Sequence, residues 1–387
     1  MELCKKEDCL GCFACMNACP KGAISGTHDW LGKTIPTVDA NKCIYCGACT
    51  KACPVLNESE YHITDECYAA WTKNENDRKN CASGGIGTAI SRYVIDNDGV
   101  VFGTYFDDDA KLIFDYADKP EQLERFKSSK YVQAYIGYSY KKVKEFLRQG
   151  RLVLFIATPC QIDGLNHYLG KKYDNLITID IICHGTPPIT YLKEHIKAKC
   201  ADAKITNVTF RGENDYHLCV YSDEKLIYSM RSDMDEYFMT FQNSSINRDN
   251  CYNCNYARHE RISDITIGDF WGINRDDLKE QYDGKISSII INTEKGKKLI
   301  SMLDKYIYME KWDIDIAYRY NHQLNNPAVP GRYRETFVKN YEKVGFEKAV
   351  RKSGVRTAIA IKKAKDSKIA KAVKKVIKKW GFYLWNH

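Results

Sequence analysis

The sequence predicts a multidomain chain of α/β and α+β class: a small cysteine-rich module, a mixed-sheet body and a basic C-terminal helical tail. Three observations carry that reading. Seventeen cysteines occur in 387 residues, and most fall in tight clusters. From about Tyr68, strand-like apolar runs alternate with helix-like amphipathic ones, the pattern of a sheet that is at least partly parallel. From Arg351 onward twelve Lys/Arg face one acid, Asp366, so the formal +8 charge resides in the tail and the remainder is mildly acidic.

Composition, at 44% hydrophobic and 28% charged residues, is that of a soluble globular protein. The opening MELCKKEDCL has no apolar core of a secretory signal, and runs such as Leu152–Ala157 fall far short of the roughly 20 residues that span a bilayer. The expectation is a cytoplasmic protein, in which clustered cysteines bind metal rather than pair as disulfides.

Residues 1–56 form the first module. Cys9, Cys12, Cys15 and Cys19-Pro20, then Cys43, Cys46, Cys49 and Cys53-Pro54, both fit C-x2-C-x2-C-x3-C-P. That is the bacterial ferredoxin run, in which three cysteines wrap one 4Fe-4S cluster and the fourth reaches the other. The spacing therefore assigns Cys9, Cys12, Cys15 and Cys53 to one cluster and Cys43, Cys46, Cys49 and Cys19 to the second. Structural zinc favours two CxxC pairs across a spacer, whereas here four cysteines crowd into eleven residues twice. Cys4 lies outside the pattern and reads as a spare thiol.

After a polar connection, residues 66–200 and 201–340 read as the two parts of one body. Strands are expected at 100–106, 151–157 and 176–182, with helices at 140–150 and 189–199 between and after them. Further strands follow at 205–212, in HLCVYSD and EKLIYSM, and at 263–272 and 285–293. Cys160 and Cys183 stand just past the ends of two successive strands, where parallel sheets place their ligand crevice. The CxxC pair Cys251/Cys254 would complete a four-thiolate shell. Spacing alone leaves two alternatives open: ordinary buried cysteines or zinc.

The ordered motifs Cys81-Ala-Ser-Gly-Gly85, Ser129-Lys-Tyr131, Thr158-Pro-Cys-Gln161, Cys183-His-Gly185, Phe210-Arg211, Cys251-Tyr-Asn-Cys254 and Ser263-Asp-Ile-Thr-Ile-Gly-Asp-Phe-Trp-Gly272 resemble the beta-subunit family of coenzyme F420 hydrogenase/dehydrogenase. With the ferredoxin module the likeness covers roughly residues 1–300. It implies a flavin-binding body, with FAD beside a third 4Fe-4S cluster on Cys160, Cys183, Cys251 and Cys254, although the sequence has neither a GxGxxG nor a Walker A run. On this reading Ser83, Gly84 and Gly85 seat a phosphate before a helix. Ser129, Lys130 and Tyr131 meet the flavin, with the lysine stabilising its reduced form, and Thr158 and Gln161 complete the cofactor contacts. His184 and Asp269 are the catalytic candidates, and His259, Arg258 and Arg261 a cationic patch near the CxxC.

The function expected is that of an iron-sulfur flavoprotein oxidoreductase, passing electrons between a ferredoxin-type partner, the clusters, FAD and an organic substrate. The alternatives are a non-catalytic electron-transfer subunit and a true coenzyme F420 reductase. In the tail, residues 341–387, Ile369, Val373, Val376, Ile377 and Trp380 share one helical face among lysines. This suits a peripheral contact with the inner membrane surface or an acidic partner as well as packing on the body. No recognition motif supports nucleic acid.

Overall fold

The computed structural model describes residues 3–211 and 216–381, the side chains of residues 109 and 369–381 excepted. Thirteen strands form among them: β1 (Ile24–His28), β2 (Thr34–Val38), β3 (Cys67–Thr72), β4 (Val100–Asp107), β5 (Lys111–Ala117), β6 (Val153–Ala157), β7 (Leu176–Ile181), β8 (Asn207–Thr209), β9 (His217–Ser222), β10 (Lys225–Arg231), β11 (Ile265–Asp269), β12 (Ser287–Ile291) and β13 (Ile307–Trp312). Strands β1 and β2 pair as the ferredoxin hairpin, and β10-β9-β8 make a small antiparallel sheet. The other eight form one sheet, ordered β13-β3-β12-β11-β7-β6-β4-β5, whose centre β11-β7-β6-β4 is parallel.

That sheet draws strands from both sides of residue 200, so the two expected parts of the body share one scaffold. Its central strands read as unbroken apolar runs because both faces are covered. Val100, Phe102, Val153 and Phe155 face one core, shared with the helices Ser139–Arg148, Pro159–Leu169 and Ile189–Cys200. Val101, Leu154 and Ile177 face the other, under the helix Ile86–Asp96. The strands at 67–72, 111–117 and 307–312 were not legible in the sequence: two are sheet edges and the third neighbours an edge, and IYMEKW carries charge within it.

The ferredoxin module is built into the first core. Cys12, Phe13, Met16, Ile24 and Leu31 pack in the same cluster as the body helices. The decisive contact is at Gly164, where an added Cβ would lie 2.8 Å from Cys12 Cβ and 2.9 Å from its Sγ. A salt-bridge chain adds a second tie: Lys33 pairs with Asp29 and Asp249, and Arg334 also holds Asp249.

The tail begins on the body. In the helix Arg334–Lys352, Gly345 has φ 72° and breaks the helical path, and Phe346, Ala349 and Val350 are buried. The next helix, Val355–Gly381, buries Val355 and Ile359, and Lys362 and Asp366 pair with Asp233 and Arg231. The predicted apolar face, Ile369, Val373, Val376, Ile377 and Trp380, lies outside the described side chains. No helix among the described residues is long and apolar enough to cross a membrane.

One buried ion network joins these helices to the body. His195, fully buried, donates Nε2–H to Asp235 at 2.9 Å and Nδ1–H to Glu347 at 2.7 Å, and Tyr228 also donates to Asp235. Burial opposes the imidazolium, but the two carboxylates prevail and raise His195 to about 9. Asp235 and Glu347 are correspondingly lowered, against their own burial. Lys199 and Arg356 also pair with Glu347 and Glu236, so the carboxylates are neutralised within the chain.

Two outcomes are expected. His195 contributes stability that is complete below its unfolded pKa of about 6.5 and is lost as pH rises through about 9. Urea midpoints should therefore fall over that window in the parent. His195→Gln should cost about 3–5 kcal/mol at neutral pH and flatten the alkaline fall; a fall unchanged in the variant would contradict the assignment. Leu154→Ala, at the fully buried centre of the sheet, should cost about 2–5 kcal/mol in the same measurement.

Candidate iron-sulfur sites and crevice

Two cavities lie within the first module. One is lined by Cys19, Cys43, Cys46 and Cys49, the other by Cys9, Cys12, Cys15 and Cys53, the two sets that the crossed spacing pairs. Local geometry explains the convergence. Phe13 and Gly47 adopt left-handed backbone just before the short helices Ala14–Ala18 and Ala48–Lys51, turning each CxxCxxC run into a tight loop. Backbone amides then point at sulfur: Ala23 donates to Cys19 at 3.3 Å and Tyr45 to Cys43 at 3.5 Å. Such N–H···S bonds favour the thiolate, which is the ligating form.

Cys4 is not a bystander. It lines the second cavity beside Cys9 and Cys53, and its thiol, itself strongly raised, lowers both of those neighbours. Burial pushes Cys15 up to about 12 and Cys12 well above the ordinary thiol range. Four thiols crowded this way cannot all ionise unless cations enter the space between them, and the residues therefore fit a multi-iron centre.

In the body, Cys160 opens the helix after β6, Cys183 follows β7, Cys251 lies within a single helical turn at Asp249–Asn253, and Cys254 caps the end of that turn. The four lie close enough to repel one another. Burial raises Cys160 to about 12, with Cys254 and Cys251 adding to it. Cys183 is raised well above its usual range by burial, Cys251 and Cys160. The Gly185 amide donates to Cys183 Sγ at 3.4 Å, and Thr158 Oγ1 lies 3.3 Å from Cys160 Sγ. This donor set, all thiols with amide and hydroxyl support, fits a four-thiolate iron-sulfur shell as the first two do.

The body quartet adjoins the Cys9/12/15/53 quartet. Cys160 and Gly164 share one face of the Pro159–Leu169 helix, one turn apart, and Gly164 touches Cys12. Tyr140, fully buried, donates to the Gln161 carbonyl at 2.6 Å beside this contact.

The remaining predicted positions divide. Ser83 donates to the Ile286 carbonyl, Gly84 N–H to Ser287, and Gly85 N–H to the Ala82 carbonyl. A Cβ at Gly84 would strike the Ala70 carbonyl at 2.5 Å. The Ser83 hydroxyl and the Gly84 and Gly85 amides, expected to meet a phosphate, are thus engaged within the chain, the first two in packing β3 against β12. Lys130 is likewise committed: its ammonium donates to the carbonyls of Phe126, Lys127 and Ser128, and burial lowers it to about 7. Thr158 donates to Gln161 Oε1, and Gln161 donates to the Ala134 carbonyl, which fixes the Cys160 turn. His184 accepts at Nδ1 from Gln323 and donates at Nε2 to Ser244, and burial pushes it down. It is a neutral, doubly bonded imidazole. The expected cationic patch dissolves: Arg261 is buried against Asp180, Arg258 pairs with Glu260, and His259 stacks on Tyr318 at 3.7 Å.

What converges instead is Tyr131, Arg211, Tyr216 and Asp269. Arg211 reaches Asp269 at 3.0 Å and lies over the Tyr216 ring at 4.0 Å. Tyr131 packs on Phe241 and Phe210, and burial raises its phenol while Arg211 and Ser129 oppose the rise. Tyr216 carried no signal in the sequence; its place is set by tertiary packing across the small sheet.

Residues 150–315 match the family model for the carboxyl-terminal region of the coenzyme F420 hydrogenase/dehydrogenase beta subunit, and residues 8–57 match a 4Fe-4S dicluster domain. A chain from the F420-reducing [NiFe] hydrogenase complex of Methanosarcina barkeri aligns over 76% of this chain and 91% of its own, at 16% identity and a TM-score of 0.45. No curated protein matches.

Proposed function

From a chain that belongs, over residues 150–315, to the C-terminal family of coenzyme F420 hydrogenase/dehydrogenase beta subunits, behind a 4Fe-4S dicluster domain at residues 8–57, we propose an iron-sulfur electron-transfer oxidoreductase that relays electrons between a partner protein and an organic acceptor. One observation carries it: Cys12 packs on the helix that presents Cys160, one turn further along the same face, so two thiol quartets share one rigid element. At a rise of about 1.5 Å per residue, Cys160 and Gly164 stand about 6 Å apart along the axis.

The quartets Cys43/46/49/19, Cys9/12/15/53 and Cys160/183/251/254 would hold 4Fe-4S clusters, which supply one-electron transfer when bound. The chain's residues supply the order. Cys46 is exposed and Ile44 and Tyr45 project beside it, giving a partner protein an entry point, while Cys12 and Cys160 are buried or nearly so at the inner end. FAD belongs to this reading as the two-electron partner. With the Ser83 hydroxyl and the Gly84 and Gly85 amides engaged within the chain, Tyr131, Arg211, Tyr216 and Asp269 would meet it near the carboxyl ends of the parallel strands. Arg211 Nε is buried without a hydrogen-bond partner among the described residues, an orphaned donor that a cofactor oxygen would satisfy. Asp269 would hold a proton or orient the acceptor, and Arg211 would favour an anionic form of it.

Anaerobic purification with iron, sulfide and flavin analysis should give about twelve irons and one FAD per chain. About eight irons would remove the body quartet from the relay, and absence of FAD would restrict the chain to one-electron carriage. Cys183→Ser should lose about four irons while the ferredoxin signals persist in electron paramagnetic resonance. Turnover of the dithionite-reduced chain with the deazaflavin coenzyme would favour a true reductase; reduced centres that persist until a partner protein is added would favour a one-electron carrier.

A further inference from the structure

Arg248 is 2% exposed and forms no ion pair among the described residues. Its neighbour Asp249 is held by Lys33 and Arg334 instead. The guanidinium reaches into the first cysteine loop, donating from Nη1 to the Leu10 carbonyl at 2.8 Å and from Nη2 to the Cys9 carbonyl at 2.9 Å. Its Nε is buried without a partner. The space it enters exists only because residue 11 is glycine: Gly11 has φ +63°, and an added Cβ would lie 2.1 Å from Nη1. At its other end the Arg248 carbonyl accepts from the Cys251 amide at 3.0 Å. Its amide donates to the Thr186 carbonyl at 3.1 Å, in the loop that follows Cys183, so the residue is anchored between the two quartets.

A guanidinium stays protonated in proteins, and an isolated buried charge is among the costliest features a fold can carry. The anion that compensates it must therefore be one the two quartets carry. We infer that Arg248 is a shared counter-cation for the clusters of the Cys9/12/15/53 and Cys160/183/251/254 quartets, a positioning residue that raises the reduction potentials of both and keeps them matched. The inference rests on the reading of those quartets as 4Fe-4S sites. The physical ground is that cluster potential follows net charge and surrounding hydrogen bonds: each reduction adds one negative charge, and a fixed cation in a low-dielectric interior favours the reduced state. The Cys43/46/49/19 quartet has no such contact with Arg248, so the cation grades the relay by drawing electrons inward from the exposed end.

The test is potentiometric titration followed by electron paramagnetic resonance on the holoprotein, comparing the parent with Arg248→Gln and Arg248→Lys. Iron and sulfide content of the parent is measured first; a parent without the clusters defeats the iron-sulfur reading, whatever the variants do. With clusters present, Arg248→Gln should disfavour reduction of the two flanking clusters about tenfold, which is about 59 mV for a one-electron couple. The Cys43/46/49/19 cluster should move less, and Arg248→Lys, which keeps the charge, should restore the flanking potentials. Unmoved flanking potentials in the Gln variant, equal shifts in all three clusters, or a Lys variant as low as the Gln variant would each overturn the inference. Should the Gln variant fail to load iron, the Lys variant carries the test: reduction equilibria of the flanking clusters within about threefold of the parent support the role of charge, and a tenfold fall, about 59 mV, overturns it.

Discussion

The contact between Cys12 and Gly164 is the constraint from which the rest of the arrangement follows. A helix can bring its backbone within reach of a cysteine loop only where it lacks a side chain, and at Gly164 even a methyl group would overlap the Cys12 sulfur. Because Cys160 lies one turn earlier on the same helix face, this approach fixes the distance between two thiol quartets at helix precision. A tether through residues 57–66 alone would leave that distance variable. Rates of electron transfer fall steeply with separation, so a module that shares the body's core is more useful to a relay than one that hangs from it.

Electrostatics reinforce the docking. Lys33, Asp249 and Arg334 tie the ferredoxin hairpin to the body and to the helix after residue 333, while Arg248 enters the cysteine loop itself. The buried thiols and the guanidinium that forms no ion pair among the described residues suit an interior that ions complete. The protein part of the site is a set of charges and donors arranged for guests: thiols raised by burial and mutual repulsion, and amides aimed at sulfur. His184 and Lys130, by contrast, are satisfied within the chain and serve as struts, one between the Cys183 loop and Ser244 and Gln323, the other inside its own turn.

Several features were legible because they are local. The crossed cysteine runs prescribe their own loops, and the cavities are lined in the sets that the spacing pairs. The apolar strands 151–157 and 176–182 announced an at least partly parallel sheet, and cysteines placed directly after them were expected at its carboxyl edge. Other features misled for equally physical reasons. A serine-glycine-glycine before a helix reads as an anion seat, yet the same glycines are what let β3 and β12 approach, and close packing used their amides. A lysine in a polar loop reads as available, yet three nearby carbonyls captured it.

By itself, then, the sequence determined the iron-sulfur character of the first module, the class of the body and the basic character of the tail, since each rests on spacing or periodicity within a short stretch. Tertiary structure decided which distant residues meet: that Cys4 leans on Cys9 and Cys53, that Tyr216 joins Arg211 and Asp269, that the tail begins by packing on Asp235 through His195, and that Arg248 stands between two quartets. Such meetings depend on how layers stack and where a glycine permits contact, and no one-dimensional pattern encodes the sum of those steric allowances.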